Sequence, residues 1–179
     1  MRSSILIRVG DVWEKKNKSE KSIWEFRHLT FQEYLAAKAL LDGRYPSRSK
    51  LVSLAETVAN LAGSMESVKN NGIEDMQVPE SWREALRLLV ADCKDDDVDD
   101  VLLAILNTLS GEDSSKTARP RSVLAALCLV DEPNVDEKNA QLILTKFASN
   151  VAKDDGTGHV RTSLDRTAIE VVGSIVLVI

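Results

Sequence analysis

Two short runs rich in β-branched residues open the chain, "SILIRV" at 4–9 and "SIWEFR" at 22–27. Between them lies "GDVWEKKNKSEK", charged and turn-prone, so the stretch predicts a β-hairpin with a long solvated loop. At Thr30 the apolar period changes from two to that of a helix. Phe31, Tyr34, Leu35, Lys38 and Leu41 fall on one face, which is expected to pack, and the helix is expected to stop near Gly43. Thr30 and Glu33 have the spacing of a capping box, with Leu29 and Tyr34 placed as its hydrophobic staple. A second helix is predicted over 49–61. Residues 63–78, "GSMESVKNNGIEDMQV", are polar and contain Gly and Asn, so they read as a long loop or linker.

From Pro79 the organisation changes. Ser81 and Glu84 suggest a second capping box, and Trp82, Leu86, Leu89, Val90 and Cys93 then share a face. Val98, Val101, Leu102, Ile105, Leu106 and Leu109 form another. "RPRSVLAALCLV" and "VDEKNAQLILTKFASNVA" predict a further helix pair, and "SLDRTAIEVVGSIVLVI" opens a third. Similar positions recur at about 38–41 residues, as between Leu86 and Leu124, Ile105 and Ile143, or Cys128 and Ile169. Antiparallel helix pairs at that period resemble HEAT-type repeats. The expected fold is therefore mainly α: a small N-terminal β-hairpin, then HEAT-like antiparallel helix pairs in an α-solenoid, with a non-repetitive bundle as the alternative. Three units follow, 1–62, a linker at 63–78, and a helical region at 79–179. The last pattern stops at Ile179 with no cap or polar tail, so truncation of a longer protein is expected.

Composition narrows the function classes. Apolar residues are 44% of the chain but aromatics only 4%, which suits stacked helices built from Leu, Ala and Val. A net charge of −5 and scattered basic residues argue against a nucleic-acid partner. The apolar run near the C-terminus is too short to span a bilayer, so no membrane partner is expected. Cys93 and Cys128 lie on apolar faces without metal-ligand spacing, and read as reduced, buried thiols suited to the cytoplasm.

Catalytic signatures are missing: no G-x-x-x-x-G-K-[ST], G-x-S-x-G, H-E-x-x-H or C-x-x-C occurs. The chain is not expected to be an enzyme or to hold a metal. The acidic run from Asp92 to Asp100 lacks the glycine and terminal glutamate of an EF-hand loop, and it reads as a solvated helix start. His159, in "KDDGTGHVR", reads as part of an inter-helix loop. His28 differs, because it ends a strand immediately before a helix. A helix start presents free N–H groups and a positive dipole end, and a histidine there can donate to a phosphate oxygen. The plain alternative is a histidine bonded to local backbone.

"WEFRHLTFQEYLAAKALL" resembles the winged-helix segment of NACHT-type STAND NTPases, the group that includes NOD-like receptors and many bacterial defence and signalling ATPases. The family pattern F-x-H-x-[ST]-F-Q-E-[YF]-x-A-A is matched at Phe26, His28, Thr30, Phe31, Gln32, Glu33, Tyr34, Ala36 and Ala37. The upstream "RSSILIRVG" is similar to the preceding strand, R-S-G-[LI]-L, with Ser4 where glycine is usual. The resemblance covers about 40 residues and implies that 1–62 is a winged-helix remnant. It further implies that His28 contacts the phosphate of bound ADP across a domain boundary, as a sensor and not a catalyst. ATP or ADP with Mg would be held by an upstream NTPase domain whose Walker motifs this chain lacks. The expected function is regulatory: nucleotide state is relayed from that core to a helical array that meets an unknown protein ligand, with oligomerisation possible for the full-length protein. The alternative is a freestanding helical-repeat scaffold for protein–protein interaction.

Overall fold

The computed structural model describes residues 6–14, 18–26, 28–44, 52–70, 73–151, 168 and 171–173. Strands β1 (Leu6–Glu14) and β2 (Ser19–Phe26) form an antiparallel ribbon, with Val9 as an extra residue between the Arg8–Trp24 and Gly10–Ile23 pairs. Helices α1 (Leu29–Leu41) and α2 (Leu54–Gly63) follow. A second ribbon is made by β3 (Glu66–Asn70) and β4 (Ile73–Gln77), and then come α3 (Glu80–Ala91), α4 (Asp95–Leu106), α5 (Ser114–Leu129) and α6 (Glu137–Val151). The chain is thus mainly helical with a small N-terminal antiparallel hairpin, as the pattern predicts.

Several local expectations are corrected. Residues 63–78 are not a loop, because β3 and β4 pair from Glu66–Gln77 to Asn70–Ile73. The two residues between them, Asn71 and Gly72, are the dipeptide most favoured between hairpin strands. Neither capping box forms. Helix α1 starts at Leu29 with His28 as its N-cap, and α3 starts at Glu80 with Pro79 in that place, neither with a side-chain capping bond. Glu33 is turned instead into the contact with α3, and Glu84 pairs with Arg83 and Arg87. Ser53 does cap α2, accepting from the Glu56 N–H at 3.1 Å, which fixes that helix start at Leu54.

The core is where helical spacing is cleanest. Leu86, Leu89 and Val90 from α3 and Val98, Val101, Leu102 and Ile105 from α4 belong to one core, all essentially without solvent contact. Ala168 and Val171 join the same core. Helix α5 is its centre: ten of its sixteen residues are buried, and it touches α2, α3, α4, α6 and β4. The sequential pairing expected of a helical repeat is extensive at α5 with α6 and slight at α3 with α4. Helix α4 also meets α5 extensively, and α1 on α3 and α2 on α4 meet across one intervening helix, while α2, α3, α4 and α6 all touch α5.

Convergence is tied by one side chain. Arg121 is 0% exposed and donates from Nη1 to the Ile105 carbonyl at 3.0 Å and from Nη2 to the Ala59 carbonyl at 2.9 Å. Its Nε donates to Glu112 at 2.9 Å, in a bidentate ion pair. The guanidinium thereby satisfies carbonyls near the C-terminal ends of α2 and α4 and binds the α4–α5 connection to both. A Cβ on Gly63 would stand 2.6 Å from Arg121 Nη2 and would also clash with Glu112 Oε1, so a larger residue there would push the ion pair apart.

Candidate functional site

The N-terminal hairpin sets the position of His28. Strand β2 ends at Phe26, and the chain turns directly into α1, so His28 occupies the junction with extended backbone angles, φ −124° and ψ 125°. Its carbonyl accepts from the Phe31 N–H at 3.2 Å, which starts the helix. The imidazole makes no capping bond, is exposed, and lies 6.2 Å from the Phe31 ring at a tilt of 55°. No acidic residue occupies the first turn of α1. The positive end of the helix therefore has no carboxylate of its own close by, and an anion would meet the ring and the first N–H groups together.

The helix behind His28 presents an unexpected face. Phe31 is 46% exposed and Tyr34 and Leu35 are each 47% exposed, although spacing had assigned them to the core side. The buried residues are Glu33, Ala37 and Leu40, which lie against α3. Small Ala37 lets the two helices approach closely, and this outweighs the bulk of the aromatic side. Glu33 is 8% exposed; burial raises its carboxyl above the usual range, Glu84 and Glu80 across the contact add to this, and Arg83 opposes it. At the other end of the contact Lys38 donates to Asp92 at 2.8 Å.

The remaining candidates resolve into structural roles or fall outside the described residues. Asp95, Asp96 and Asp97 form the first turn of α4, the helix start predicted for that acidic run. Asp99 accepts from the Asp136 N–H at 3.1 Å and from Asn139 Nδ2 at 2.8 Å, joining α4 to the start of α6. Among the described residues no group of three or more His, Cys, Asp or Glu side chains is placed to hold a metal. Cys93 and Cys128 are free thiols; burial pushes Cys93 up to about 11 and Cys128 further in the same direction, so neither is a ready thiolate. His159 lies outside the described residues. No helix among the described residues is long and apolar enough to cross a membrane. No protein-family model matches the chain, and no curated protein or solved structure matches it either.

One feature of this end of the molecule has no counterpart in the predicted sites. Of the thirteen large hydrophobic residues that are exposed among the described residues, eleven lie between Leu6 and Leu35. Both faces of the ribbon contribute. Trp13 opposite Glu20 and Trp24 opposite Arg8 stand on one face, and Val12 opposite Lys21 and Ile7 opposite Glu25 on the other. Alternation of the strands carries this signal in the sequence, but a two-stranded ribbon has no second layer to hide either face.

Proposed function

We propose that this chain is a non-catalytic regulatory and interaction portion of a NACHT/STAND-type signalling or defence NTPase. The observation that carries the reading is the nine-position match from Phe26 to Ala37, in which the His28 imidazole is exposed and makes no capping bond. An exposed imidazole at a helix start without its own acidic residue supports the assignment of His28 as a phosphate sensor. The nucleotide, ADP or ATP with Mg, is bound by an upstream domain of the same protein; His28 contributes one donor to its phosphate. Nucleotide exchange removes that contact and frees α1 to move with the hairpin, and the helices behind it carry the change toward a protein ligand. Such coupling operates only through contacts that differ between the two states. The setting is cytoplasmic, and the chain performs no chemistry of its own.

The test is made in the longer protein that carries a Walker A loop upstream. His28→Ala is expected to speed ADP release by about tenfold or more, the effect of losing one charge-assisted contact, measured by the off-rate of a fluorescent ADP. An unchanged off-rate removes the sensor role. If the reading frame upstream of residue 1 carries no Walker A loop, the freestanding scaffold replaces this proposal.

A further inference from the structure

We propose that the contact of α1 with α3 is a proton-operated clasp, in which charged Glu33 loosens the docking of residues 6–41 and neutral Glu33 closes it. Position gives this one carboxyl its reach. Glu33, Ala37 and Leu40 form the buried stripe of α1, and that helix lies against α3. Among the described residues no other contact of comparable extent joins the hairpin and α1 to the helices behind them. A charge in that stripe therefore works against the docking of the whole N-terminal unit, not against a single side-chain contact.

The surroundings leave the charge poorly compensated. Acting on it from α3 are Glu84, Glu80 and Arg83, two carboxylates against one guanidinium. Arg83 is already engaged by both, at 3.3 Å from Glu80 and 3.3 Å from Glu84. Arg87, further along α3, is held by Glu84 at 3.1 Å and by Asp131 at 2.9 Å. Strand β2, which touches α1 lightly, carries Glu20, Lys21 and Glu25, and Lys21 pairs with Glu14 inside the ribbon. On α1 itself Lys38 is drawn to Asp92 at 2.8 Å, an attraction that closes the same contact from its other end.

Burial, then Glu84 and Glu80, raise the Glu33 carboxyl above its ordinary 4.5 against the opposing pull of Arg83. The docked state thus binds this proton more tightly than the undocked one. Docking is weakest above the raised value, strengthens as pH falls through it, and gains nothing further from Glu33 below 4.5. Acid closes the clasp.

The clasp does not rest on the nucleotide reading, and its test needs no nucleotide. Hydrogen exchange of this chain is followed at amides 33–40 and in α5, at pH 7 and pH 4.5, each rate divided by the intrinsic rate at that pH. Amides 33–40 should be less protected than those of α5 at both, and their protection should rise at least about twofold at the lower pH. Glu33→Gln should show the higher protection at both pH values and no rise. Lys38→Met should lower protection at both and keep the rise. The proposal is overturned if amides 33–40 are as protected as those of α5, or if the wild type shows no rise. A rise that persists in Glu33→Gln, or that disappears in Lys38→Met, also overturns it.

Discussion

Arg121 ties α2, α4 and the α4–α5 connection together through one buried side chain. Arg121→Ala should destabilise the fold by about 3–5 kcal/mol, because it leaves a carboxylate and two carbonyls without their donor; urea unfolding followed by circular dichroism reads the change. A pH signature accompanies it. Burial pushes the Glu112 carboxyl up, but the Arg121 hydrogen bonds and charge outweigh this and hold it below its ordinary 4.5. A depressed folded value means stability that is present above pH 4.5 and lost as pH falls through the lower value. The wild-type protein should therefore lose stability on acidification in that range more steeply than Arg121→Ala does. Nothing in the sequence reveals this residue. An arginine in "TARPRSV" reads as solvated, and its partners Ala59, Ile105 and Glu112 are brought to it only by the fold. The place of His28 was legible for the opposite reason, since a strand-to-helix junction is local and a short stretch of sequence encodes it.

Among the elements, α1 shows where pattern reasoning turns. Its position is readable to within two residues at the start, where His28 and not Thr30 is the N-cap, but its buried face is not. Apolar residues surround the helix, and the choice between an aromatic side and an alanine side belongs to α3. Glu33 is the consequence, a carboxylate placed against Glu84 and Glu80 with Arg83 shared among them. Because the folded carboxyl titrates above its ordinary 4.5, its charged form opposes folding at neutral pH, and that opposition vanishes as the group protonates. Glu33→Gln is expected to raise the melting temperature at pH 7 by a few degrees and to give no advantage below about pH 4.5, as scanning calorimetry at the two pH values would record. The β3–β4 ribbon teaches a different lesson: its Asn-Gly signal was present, but the polar residues around it offered no alternating apolar face to mark the strands.

At the scale of the molecule, helix content and the two core faces of α3 and α4 follow from spacing, because those helices bury a single clean stripe each. Convergence on α5 does not follow from spacing, since a local period records which side of a helix is apolar and not which helix meets it. Among the described residues, the contact of α1 with α3 is the one extensive connection between residues 6–41 and the rest of the molecule. A region joined through a single helix contact opens as a cooperative unit while the remainder stays folded. Native-state hydrogen exchange should accordingly separate two classes of amide, with β1, β2 and α1 exchanging together at low denaturant and α5 only on global unfolding. Equal protection across both would contradict the separation. If it holds, a protease would release the first forty residues as one piece, and the helices converging on Arg121 would outlive the loss.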